Sequence, residues 1–94
     1  MLSSNRIIVS VLGEDRVGLI ASVTGVLAEN GVNILDISQT VLQEFLAMII
    51  IADMTGASVD LITLKERLDA KGAELGGVRI GAQHEDAFLY MHRI

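Results

Sequence analysis

Two stretches of the 94-residue chain hold the residue types that small-molecule recognition needs. The first, Gly13-Glu14-Asp15-Arg16-Val17-Gly18-Leu19-Ile20, is a glycine-bounded polar loop running into an apolar segment of helical period. A helix starting there offers unpaired backbone N–H groups and a partial positive charge, a setting suited to a carboxylate. Gly18 lets the backbone come close to a ligand or a neighbouring element. The second stretch is Leu27-Ala28-Glu29-Asn30-Gly31-Val32-Asn33-Ile34. Asp15 from one and Asn33 from the other have the chemistry to hold an ammonium or a hydroxyl group. Each residue also has a plainer role: Asp15 as a helix cap, Arg16 as a solvated charge or a carboxylate partner, Gly18 as a packing residue, Asn33 as a turn residue at a strand entry.

Other chemistries find little to work with. The chain has no cysteine, which removes disulfides, thiolate catalysis and Cys-ligated metals together, and fits a cytoplasmic location. His84 and His92 lie near Glu85 and Asp86 but show no metal-ligand spacing, so neither a metal nor a cofactor is expected. No nucleophile–base pair stands out, and a catalytic role is not expected. The net charge is −5, with seven scattered Lys and Arg, which argues against nucleic acid and against anionic membrane surfaces. The longest apolar run, Phe45 to Ala52, is far short of the roughly 20 residues that span a bilayer, and the first residues lack the apolar core of a signal peptide.

The elements that must position these residues can be read from period and punctuation. Arg6–Leu12 is β-branched and apolar, and reads as a strand ending at Gly13. Leu19, Ile20, Val23, Val26 and Leu27 recur at helical spacing, giving a helix over about Val17–Asn30 with Gly31 as its C′ residue. Val32–Leu42 alternates, with Ile37, Gln39 and Val41 opposite Asp36, Ser38 and Thr40. After the short break Gln43-Glu44, Phe45–Met54 forms the second arm of an antiparallel hairpin. Thr55-Gly56-Ala57 is a turn, Ser58 an N-cap with Asp60 in the first helical turn, and Leu61, Leu64, Leu68 and Leu75 a helix stripe. Gly72 weakens that helix by about 1 kcal/mol relative to alanine. Gly76-Gly77 ends it, Val78–Gln83 is the last strand, and Glu85–His92 is a candidate short terminal helix.

The order β-α-β-β-α-β predicts one α+β domain over residues 1–94, a ferredoxin-like sandwich with a four-stranded antiparallel sheet and two helices on one face. The third strand adds a constraint. Met48 and Ile50 on one side, and Ala47, Ile49 and Ile51 on the other, are all apolar, so both faces of the sheet need cover. The cover for the second face is the terminal segment with Phe88, Leu89 and Met91, a second copy of the chain, or both. Mean hydropathy is +0.53, high for a small chain, and a two-fold homodimer is the expected assembly.

The acidic-Arg-x-Gly-Leu turn at Asp15–Leu19, spaced ahead of Gly31-Val32-Asn33-Ile34, resembles the ACT domain. The likeness extends over essentially the whole chain. Val32–Thr40 and His84–Ile94 are similar to stand-alone ACT proteins of bacteria and archaea, a group related to the glycine-cleavage transcriptional repressor. The resemblance implies a regulatory module that binds an amino acid between the first loop and the start of the second strand of a neighbouring chain. The implied ligand-binding residues are Gly13, Asp15, Arg16, Val17, Gly18, Leu19, Asn33 and Ile34. Val17 stands where the family carries Pro, which loosens the helix start. Gly13 stands where serine-binding members carry His, so serine is not the implied ligand. The alternative is a protein–protein adaptor that docks through its sheet and binds no small molecule. A small enzyme of the acylphosphatase kind is disfavoured, because Glu14 and Asp15 would repel a phosphate. An RNA-binding domain of this architecture would need aromatics on its central strands, and only Phe45 is available.

Overall fold

A computed structural model of the chain describes residues 5–14 and 16–92, with side chains through Tyr90. The element order is β1 (Arg6–Glu14), α1 (Leu19–Glu29), β2 (Asn33–Leu42), β3 (Phe45–Asp53), α2 (Leu61–Glu74), β4 (Arg79–His84) and α3 (Glu85–His92). The strands form one antiparallel sheet in the order β2-β3-β1-β4. α1 and α2 pack on each other, α1 against β2 and α2 against β4, which is the expected ferredoxin-like sandwich. A third, short helix is added at the C-terminal side.

The core lies between the two long helices and one face of the sheet. Ile7, Val9 and Val11 of β1 alternate inward with Leu46, Met48, Ile50 and Ala52 of β3, and Ile80 and Ala82 of β4. Leu19, Val23, Val26 and Leu27 of α1 close over them with Leu64 and Leu68 of α2. Burial of these branched side chains is the main stabilising contribution.

Both helices end in the same device. Gly31, at φ 72°, donates its N–H to the Ala28 carbonyl, and Val32 donates to Leu27. Gly76, at φ 88°, donates to Ala73, and Gly77 to Gly72. These are Schellman motifs, in which a left-handed glycine lets the chain turn back on the last helical carbonyls.

The helix starts depart from the sequence expectation. α1 begins at Leu19 and not at Val17, because Gly18 adopts a left-handed φ of 85° and serves as the N-cap. α2 is capped by Asp60, whose carboxylate accepts the Thr63 N–H at 2.8 Å. That bond holds the Asp60 carboxyl below its ordinary value. Ser58 has a different role: its N–H and hydroxyl both donate to the Asn30 carbonyl. β1 also runs two residues further than expected, since Gly13 and Glu14 pair with Leu46 and Phe45.

Among the described residues, the second face of the sheet is covered at one end only. α3 packs against β1 and β4, and Ile8 on that face is buried. Arg6 and Glu85 form an ion pair at 3.0 Å that ties the start of β1 to α3. Further along the same face, Leu12, Phe45 and Ile49 remain substantially exposed. Edge strand β2 is exposed along almost its whole length, including Leu35, Ile37, Val41 and Leu42.

Candidate functional site

The sheet register places the two halves of the predicted site at opposite ends of the sheet. Asn33 pairs with Asp53, which pairs with Arg6 at the start of β1. Gly13 and Glu14, at the other end of β1, lie level with Val41 and Leu42. At 3.3–3.4 Å per residue, that separates Asn33 from the Gly13–Gly18 loop by roughly 25 Å along the strands. A single copy therefore does not bring them together.

At the loop end, Gly13 is half-buried, and a Cβ there would meet the Val78 side chain at 3.0 Å. Arg16, Val17 and Gly18 are exposed. Leu19 is a core residue, and its N–H donates to the Arg16 carbonyl at 3.2 Å. That bond folds the loop back on itself. Asp15 lies outside the described residues.

Around this loop the fold gathers residues that the sequence reading passed over. A cavity of about 540 Å³ is lined by Leu12, Gly13, Glu14 and Arg16 of the loop, by Leu42 and Phe45 of the hairpin, and by Gly76–Arg79 after α2. The Arg16 guanidinium nitrogens stand 3.5 and 3.7 Å from where a Cβ on Gly76 would lie. In the sequence, Gly76-Gly77 serves only as a helix stop. The available signal was that the stop carries two glycines and is followed, after Val78, by an arginine.

At the Asn33 end the structure is more fully bonded. Asn33 is exposed and Ile34 half-buried, packed against the core. The ladder slips between Ile34 and Asp36, leaving Leu35 at a bulge. The Asp53 carboxylate accepts the Thr55 hydroxyl at 2.6 Å and the Thr55 N–H at 2.8 Å. Those two bonds, with the nearby Arg6 charge, hold its carboxyl below the ordinary range. Close by, the buried Asn30 side chain donates to the Val26 carbonyl at 2.7 Å and accepts from the Arg67 guanidinium. Asn30, the buried polar residue among the described residues, has no signal in the helical pattern, because it looks like any C-terminal Asn. His84 accepts the Asp86 N–H through Nδ1 at the start of α3, and its side-chain geometry is that of a local cap. Among the described residues, no group of three or more His, Asp or Glu is placed to hold a metal ion. No helix among them is long and apolar enough to cross a membrane.

Comparison with known proteins resolves which family shares this arrangement. The model of the ACT domain matches residues 5–79, most of the chain and both stretches of the predicted site. The chain belongs to the ACT-domain family. A UPF0237 protein of Methanocaldococcus jannaschii is 53% identical, over 96% of this chain and 99% of its own. An ACT domain protein from Streptococcus pneumoniae superimposes with a TM-score of 0.76 at 37% identity, covering 88% of this chain and 92% of the other. A candidate glycine cleavage system transcriptional repressor shares the fold, with a TM-score of 0.69 at 20% identity over 90% of this chain and 50% of that one. ACT domains are regulatory modules; the matched residues run from the start of β1 to the first residue of β4, and the rest of β4 and helix α3 lie beyond them.

Proposed function

We propose that this ACT protein is a homodimeric regulatory module that binds a small metabolite, an amino acid, in a pocket completed by two copies, without catalysing a reaction on it. The reading rests on one observation: the motif halves lie at opposite ends of β2, and β2 is an exposed edge. A ten-residue edge strand without proline, whose one charge is Asp36, is a pairing surface unless something covers it. Antiparallel pairing of β2 with a second β2 about a two-fold axis lays the start of one strand beside the end of the other. The partner's Asn33 then stands near Leu42 of this copy, at the end where Gly13–Gly18 and the start of α1 are found. Asp15, Arg16, Val17 and Gly18 from one copy, with Asn33 and Ile34 from the other, would surround the ligand. Leu19 would support the loop from within the core.

Such a pocket couples assembly to ligand. The metabolite shifts the dimer equilibrium by its differential affinity for the two arrangements, and no more than that. The test pairs sedimentation with a thermal-shift screen of the common amino acids. The native chain is expected to sediment at twice its 10.1 kDa mass and to gain Tm with at least one amino acid. Gln39→Pro removes an edge donor in the middle of β2, on the side of the strand where the Ile37 N–H donates to the Asp36 carboxylate, and is expected to give a folded monomer that no longer responds. A native chain that sediments as a monomer defeats the shared pocket. A dimer that answers to no amino acid favours the adaptor reading, which the exposed Leu12, Phe45 and Ile49 support.

A further inference from the structure

We infer that Asp36 is a brake on the pairing of β2 with a second copy: its carboxylate holds the Ile37 N–H, which the partner strand has to take before the two edges can join. This rests on the edge-paired dimer above and deepens it, by naming a residue that sets how tightly the copies hold each other.

The direction of the edge groups follows from the ladder. The Met54 N–H donates to the Asn5 carbonyl, so these two residues form a hydrogen-bonded pair. In an antiparallel sheet such pairs alternate with unbonded ones, which makes Val9 and Ile50 a bonded pair and turns the Ile50 groups toward β1. Ile50 is also the neighbour of Ile37, so the Ile37 N–H and carbonyl point away from β3. The same alternation sends the groups of Gln39 and Val41 to the outer edge. These are the groups that a second strand bonds. The Ile37 N–H is not open to it, because the Asp36 carboxylate accepts that hydrogen at 2.9 Å.

A paired edge cannot leave this bond in place. In an antiparallel joint, outward-facing residues oppose outward-facing residues. Of the registers that bring the partner's Asn33 to the Val41–Gln43 end of β2, one sets Ile37 against the partner's Ile37. The next sets it against the partner's Gln39. Both require the Ile37 N–H. In the first, Asp36 and the partner's Asp36 also become diagonal neighbours on one face, about 7–8 Å apart. Each copy therefore gives up a charge-assisted bond to join, and in that register like charges approach each other. The slip in the ladder between Ile34 and Asp36 falls at the same point. A bulge and a charge are among the devices by which edge strands resist pairing. Towards the hairpin no such guard stands, since Val41 and Leu42 are exposed apolar residues. An edge guarded at one point and open at another makes a reversible joint, which is what a ligand needs if it is to shift the assembly.

Sedimentation equilibrium of the full chain tests this, with the dimer dissociation constant as the readout. Asp36→Ala frees the Ile37 N–H and is expected to lower that constant at least about tenfold. Asp36→Asn keeps an acceptor oxygen without the charge, and should lower it by less. Glu44→Ala removes an exposed carboxylate from the β2–β3 turn, away from Ile37, and should leave the constant unchanged. Adding Gln39→Pro to Asp36→Ala should abolish the gain, with unchanged far-UV circular dichroism. A monomeric native chain beside a dimeric Asp36→Ala variant supports the brake, although the shared pocket then falls. An Asp36→Ala dimer no tighter than the native one, or an equal gain from Glu44→Ala, overturns this inference and leaves the edge-paired reading standing. If neither the native chain nor Asp36→Ala associates, or if the gain survives Gln39→Pro, both fall.

Discussion

At the end of the sheet where α1 turns into β2, the turn residues are closely bonded. Asn30 is bonded to Val26, Arg67 and Ser58, Gly31 fits against the Gly56 carbonyl, and Asp53 holds Thr55. At the end where α2 turns into β4, the same Schellman turn opens onto a cavity, with Arg16 lying loosely across Gly76 and apolar side chains facing solvent. One helix stop is a packed joint, and the other is the rim of a cavity. A glycine at C′ determines that the chain turns, but its neighbours determine whether the turn bears on stability or on binding.

That contrast can be broken by substitution. The largest effect is expected from Gly31→Ala, which adds left-handed strain to a Cβ placed 2.7 Å from the Gly56 carbonyl. A loss of about 3 kcal/mol should appear in urea denaturation. Asn30→Ala should cost about 2 kcal/mol by the same measurement, because it removes the Val26 bond and strands the Arg67 guanidinium. Gly77→Ala has the same sign of φ, 95°, but nothing within 4 Å of the new Cβ. Only the strain of about 1 kcal/mol should remain. If Gly31→Ala and Gly77→Ala prove equal, packing plays no part and the two ends do not differ as described.

The smallest effect concerns acid. Asp53 is held below the ordinary carboxylate value near 3.8 by Thr55 and Arg6. A group of this sign supports the folded state fully above its unfolded value, and that support is lost as pH falls through its lower folded value. Exchange of the Thr55 amide hydrogen should therefore accelerate, beyond its intrinsic dependence, as the solution is acidified through that range. Asp53→Asn should remove the acid-dependent part. An unchanged profile in the variant would mean that the 53–55 turn is held by something other than this carboxylate.

Much of the fold was legible because its signals are local. The alternation of β1 and β3, the Leu stripe of α2 and the paired glycine stops each follow from a few adjacent residues. The helix starts were less legible. Ser58 and Asp60 are both good caps by type, and the difference lies in which oxygen reaches a free N–H: Asp60 reaches Thr63, while Ser58 is drawn to Asn30, distant in sequence. Gly72 reads as a helix weakness, yet a Cβ there would sit 2.3 Å from the Val78 carbonyl, so the close approach of α2 to the following turn requires glycine. The candidate site was legible as a list of residues and not as a place. Arg16 and Asn33 were found by type and spacing, whereas Arg79, Leu42 and Phe45 carry no motif of their own.

The sequence alone determined the order of the elements, their inward faces and the turns that join them, since these depend on periodicity and on the conformational freedom of single residues. Only the tertiary structure decided that the two halves of the motif are a strand-length apart, that the β2 edge stands bare between them, and that Arg16 meets Gly76. Those facts depend on register and on strand order, which set the distance between residues remote in sequence and which no local pattern encodes.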